Sequence, residues 1–128
     1  FWVYTVAPWM AQHRLTGHAR YGISHDDPSI TAPARCRYDA CVEVDAGYQP
    51  LRPALKAQIA GGRYAVMPFE GTSPQVAEAW SRLLGQWLPD SRLQLDLRPC
   101  FEHYPAHARL DPATGAFSCE LCIPVTPL

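Results

Sequence analysis

The sequence predicts an α+β fold made of two similar strand–helix–strand–strand units with antiparallel strands. Three observations predict it. The chain's four tryptophans form two pairs, Trp2/Trp9 and Trp80/Trp87, each seven residues apart and offset by 78. In each half a helix-like stretch precedes two strand-like segments. Turn residues separate those segments: Gly61-Gly62 opens the second half, and Asp111-Pro112-Ala113-Thr114-Gly115 divides its last two strands.

The second half is the clearer one. Gly62 to Phe69 reads as a strand after the glycine pair. Ser73 suits a helix N-cap and Pro74 a first helical position. Val76, Trp80, Leu83, Leu84 and Trp87 then share one helical face, and Pro89 is expected to stop the helix. Strands follow near Cys100–Tyr104 and over Phe117–Ile123. The first half repeats the order from its helix onward: a helix through Trp2 and Trp9, a strand from Arg20 to His25, and a strand from Cys36 to Val44. Pro8 is a weak point in that helix. Ile23 matches Phe101 at the offset of 78, while Val42 and Val44 match Leu121 and Ile123 at 79, which implies one inserted loop residue. The counterpart of strand 62–69 would lie before residue 1. On this reading the first strand is missing, and the edge left behind is expected to promote self-association into a homo-oligomer through the first half.

Composition bounds the function. A chain of 128 residues is one domain, divided here into repeats over 1–60 and 61–128. A net charge of about −1, with Lys56 the only lysine, gives no footprint for direct contact with nucleic acid. No apolar run is long enough to span a membrane. An odd count of five cysteines without a secretory signal argues for reduced thiols and a cytoplasmic location.

Several segments, taken in order, carry a family resemblance. They are Tyr21-Gly22-Ile23-Ser24-His25-Asp26-Asp27-Pro28, Cys36-Arg37-Tyr38-Asp39-Ala40-Cys41-Val42 and Gly61-Gly62-Arg63-Tyr64-Ala65-Val66. Ala79-Trp80, Trp87-Leu88-Pro89, Phe101-Glu102-His103-Tyr104 and Ile123-Pro124-Val125 follow. Together they resemble the GyrI-like domain, which is also the effector-binding half of many AraC-type regulators and of BmrR-type multidrug-sensing regulators. The resemblance implies a sheet cradle with helices outside, a ligand cleft between the repeats and no cofactor. It also implies an amphipathic, cationic aromatic small molecule as ligand, bound by a sensor or sequestering domain linked to transcription regulation. In BmrR-like members a buried glutamate after the second helix faces the drug, and Glu102 stands at that position.

Elementary chemistry agrees with that choice. A carboxylate between Phe101 and Tyr104 is costly to bury alone, and a delocalised organic cation relieves the cost. The competing structural role is an ion pair with an arginine such as Arg98. Strand alternation puts Glu102 and Tyr104 on one face and Phe101 and His103 on the other. Leu121 and Ile123 suit the helix side, which would leave Glu120 and Cys122 toward the cleft. Cys122 stands where the family often has tyrosine, so one aromatic wall is absent. Tyr64 and Trp80 complete the candidate ligand-binding set, with core packing the competing role of each aromatic.

Other motifs exclude chemistry. Cys119 and Cys122 form a C-x-x-C, but on a strand their thiols point to opposite faces, which suits neither a shared metal nor a redox pair. His25-Asp26-Asp27-Pro28 reads as a strand end and turn rather than a catalytic pair. No nucleophile elbow, phosphate loop or dinucleotide fingerprint is present. Two alternatives follow from the resemblance: a hydrolase of reactive cyclopropane-containing compounds in which Glu102 activates water, and a protein-interaction role of the gyrase-inhibitor kind.

Overall fold

The computed structural model describes residues 2–26, 30–52 and 54–128. A π-helical turn, Trp2–Val6, runs into helix α1, Ala7–Gln12. Pro8 falls in the first turn of α1, where its missing N–H costs least. Strands β1 (Arg20–Ser24) and β2 (Tyr38–Val42) follow as an antiparallel pair. The turn expected at Asp27-Pro28 lies outside the described residues.

The second half runs β3 (Tyr64–Gly71), α2 (Ser73–Arg82), a π-helical turn (Leu83–Trp87) and α3 (Leu88–Asp90). Strands β4 (Leu93–Leu95), β5 (Phe101–Tyr104) and β6 (Phe117–Pro127) complete it. Thr72, not Ser73, caps α2. Thr72 and Gln75 form a capping box in which Gln75 Oε1 accepts the Thr72 backbone N–H at 2.8 Å. The π turn corrects the expected helical face. By widening the spiral it carries Leu88 onto the sheet, while Leu84 and Trp87 stay exposed. The helical run ends at Asp90, one residue after Pro89, as expected from the sequence. Strand β4 has only three residues, too few for an alternation to register in the sequence.

Six strands form a mostly antiparallel open sheet in the order β2-β1-β5-β6-β3, with β4 on the far end of β6. The α+β class is therefore observed. Ile23 faces Phe101, its own match at the offset of 78, across the β1–β5 junction. The loops differ by more than the single residue expected: Ile23 faces Asp39 and Phe101 faces Cys122, an offset of 83. An even slip from 79 leaves inward side chains inward.

Both helical segments cover the same sheet face. Ala79 and Leu83 pack with Tyr104, Cys119, Leu121, Ile123 and Val125, and Trp2 reaches this cluster from the first half. Val6, Met10 and Leu15 pack against Ala40, Val42 and Val44. The centre of the core is β6, where Leu121, Ile123 and Pro124 are fully buried. No helix among the described residues is long and apolar enough to cross a membrane.

Candidate functional site

The strand register divides the candidate residues between the two sheet faces. Glu102 faces Gly22 on one side and Leu121 on the other, so it lies with Tyr104 on the helix-covered face. His103 faces Glu120 and Phe101 faces Cys122, so these four lie on the opposite face. The expected grouping of Glu102 and Tyr104 with Glu120 and Cys122 is corrected accordingly. Leu121 and Ile123 do point to the helices, as read, but Glu102 goes with them.

On the helix side, Glu102 is half-buried and held at both oxygens. Tyr104 Oη donates to Glu102 Oε1 at 2.7 Å, and Trp80 Nε1 from α2 donates to Oε2 at 3.0 Å. These bonds replace the unpartnered burial expected from the sequence. The arginine pairing is absent too: Arg98 binds Asp96 at 3.1 Å and donates to the carbonyls of Gly61 and Arg63. Two further aromatics close the cluster. Trp2 lies 5.4 Å from Tyr104 between ring centroids, and its Nε1 donates to Tyr38 Oη at 3.2 Å. Burial, followed by the Glu102 charge, pushes the Tyr38 hydroxyl up to about 12. The same two causes, in the same order, and its hydrogen bond to Glu102 raise Tyr104 further. Both phenols therefore stay protonated donors at neutral pH. Arg20 sits above this cluster, its guanidinium 5.7 Å from the Trp2 ring centroid and 5.4 Å from that of Tyr104.

Sequence reasoning placed Glu102, Tyr104 and Trp80 in the candidate set but missed Trp2, Tyr38 and Arg20. One signal was available: Trp2 matches Trp80 at the offset of 78, and both send their indole N–H toward the same cluster. Gly22 explains how Tyr38 enters. A Cβ at Gly22 would lie 1.9 Å from Tyr38 Oη and 2.8 Å from Cζ, so only glycine leaves room for the phenol. Gly22→Ala is expected to destabilise the fold by about 1–3 kcal/mol through overpacking. In a Tyr38→Ala background most of that penalty should vanish on thermal denaturation. Equal penalties in both backgrounds would contradict the contact.

The opposite face carries Tyr64, Glu120 and Cys122 with a row of rings. Tyr64 and Tyr21 flank Phe101 at centroid distances of 5.2 and 5.8 Å, and Tyr21 stacks on His103 at 4.8 Å. Arg98 already lies over Tyr64 at 4.5 Å, and Glu120 accepts from His103 Nδ1 at 2.7 Å. Cys119 joins the helix-side core, whereas Cys122 sits on this face, so the two thiols do point apart. Burial raises Cys119 to about 12 and Cys122 to about 11, the charges nearby adding to it. Little thiolate forms at pH 8, so both cysteines should react with a thiol reagent only on unfolding. Fast labelling of either in the folded protein would contradict this.

Two open depressions of the surface lie elsewhere. One of about 550 Å³ is lined by Glu70, Arg109 and Phe117, and one of about 620 Å³ by His103, His107 and Glu120. Neither has Glu102 among its lining residues. Glu102 itself is half-buried, with Trp80 and Tyr104 on its two oxygens.

The chain is similar to known proteins over most of its length. The chain is 31% identical over 104 residues to the SPbeta prophage-derived protein YosT of Bacillus subtilis (strain 168), named as a candidate transcriptional regulator; the match covers 81% of this chain and 66% of that protein. It is 29% identical over 108 residues to YgiV of Escherichia coli (strain K12), also named as a candidate transcriptional regulator, covering 79% of this chain and 68% of that one. It is 30% identical over 121 residues to a DNA gyrase inhibitor of Edwardsiella ictaluri (strain 93-146), covering 91% and 76%. The chain therefore spans about two thirds to three quarters of these relatives' lengths. The family model for the GyrI-like small molecule binding domain matches residues 6–126. Nearly the whole chain is covered, and it belongs to the GyrI-like small molecule binding domain family.

Proposed function

We propose that this domain binds a flat, cationic aromatic molecule against Glu102 and acts as the sensing or sequestering unit of a cytoplasmic regulator. The observation that carries the reading is the held carboxylate: one donor on each Glu102 oxygen and aromatic rings on the surrounding sides. Each ring face presented to a cation contributes about 0.5–2 kcal/mol. The cation stacks on the Trp2, Trp80 and Tyr104 rings beside Glu102. The names of YosT and YgiV support the regulatory part. Titration of a cationic dye against wild type and Glu102→Gln tests the proposal.

A further inference from the structure

Arg20 is the one element of the cluster that a purely cationic ligand leaves unexplained. It lies on β1, two residues from Gly22, and faces Tyr104 across the β1–β5 pair as Gly22 faces Glu102. Its guanidinium rests on the Trp2 and Tyr104 rings and is only partly exposed. Among the described residues no carboxylate pairs with it and no side-chain hydrogen bond engages it. A guanidinium carries five fixed donors, and among the described residues none of these finds a side-chain acceptor. Arg20 would repel a second cation placed over the same rings. An acceptor group there would instead gain a charge-assisted, bidentate contact.

Two opposite charges therefore stand side by side on the helix-covered face. Glu102 accepts and Arg20 donates, about 7 Å apart along the strands at two residues' rise, with the Tyr104 ring beside both. The carboxylate is already tied to Trp80 and Tyr104, so the two charges do not cancel in an ion pair. We infer that the preferred ligand is dipolar: an aromatic molecule with a cationic end for Glu102 and an anionic acceptor, a carboxylate or its equivalent, for Arg20. This rests on the assignment of Glu102 as the cation partner and adds a selection rule to it. Arg20 discriminates among aromatic cations by favouring those that carry a compensating anion.

A matched pair of probes separates the two ideas. An amino-substituted xanthene dye as its free acid is a zwitterion at neutral pH, and its methyl ester is the same ring system as a cation. Fluorescence titration of wild type should show the acid bound about tenfold more tightly than the ester, corresponding to about 1.4 kcal/mol. Arg20→Gln should bring the ratio near one while the ester still binds. Glu102→Gln should weaken both dyes and leave the acid favoured. An acid-to-ester ratio unchanged by Arg20→Gln would overturn the role of Arg20 and leave the Glu102 site standing. Failure of Glu102→Gln to weaken either dye, or no binding of either dye to wild type, would overturn both.

Discussion

Glu102→Gln should weaken the binding of a cationic aromatic dye roughly 30-fold, or about 2 kcal/mol. The lower end of the range for a lost charge partner applies because Glu102 is half-buried and water screens part of its field. Glutamine keeps the shape and one acceptor oxygen, so the bond from Tyr104 can survive. The amide nitrogen is then turned toward Trp80 Nε1, and two donors meet where a donor met an oxygen. Trp80 should therefore loosen, which its fluorescence would report, while the sheet stays folded. A neutral dye of similar size supplies the control, since its affinity depends on the rings and not on the charge. Equal affinity of wild type and Glu102→Gln for the cationic dye would remove the basis for the proposed site.

Much of the fold was legible because its signals are local. Four tryptophans at a repeated offset, a capped amphipathic helix and glycine-rich turns each act within a short stretch of chain. What was not legible depends on pairing. Strand alternation correctly separated Glu102 from Phe101, and Cys119 from Cys122, within each strand. It could not say which face of β5 goes with which face of β6, because that needs the register, and a shift of one residue reverses it. Glu102 was consequently grouped with Glu120 and Cys122 when its cross-strand neighbour is Leu121. The π turns were equally hidden, since no residue type demands them, yet the one at Leu83–Trp87 decides that Leu88 packs inward and Trp87 outward. Trp2 and Tyr38 escaped for a third reason. They come from the first half and reach a site whose charge lies in the second, a distance of 64 residues from Tyr38 to Glu102 that no local pattern spans.

Leu121→Ala should produce the largest loss of stability of any single truncation proposed for this protein, about 2–5 kcal/mol. Leu121 is 0% exposed and lies at the middle of β6. It faces Met67 on β3 and Glu102 on β5, under Ala79 and Leu83 of the second helical segment. Sheet neighbours on both sides and helices above leave little freedom to collapse into the space vacated, so the transfer loss and the cavity cost add. Against a total stability of about 5–15 kcal/mol for a domain of this size, that is a large share. The urea midpoint should fall with little change in slope, because the surface exposed on unfolding differs between the variant and the wild type by only a few methyl groups. Leu97→Ala supplies the comparison. The residue type is the same, but Leu97 is 102% exposed, and its loss should stay within about 0.5 kcal/mol. If the two variants lose equal stability, β6 is not the centre of the core, and the placement of Glu102 on its neighbouring strand fails with it.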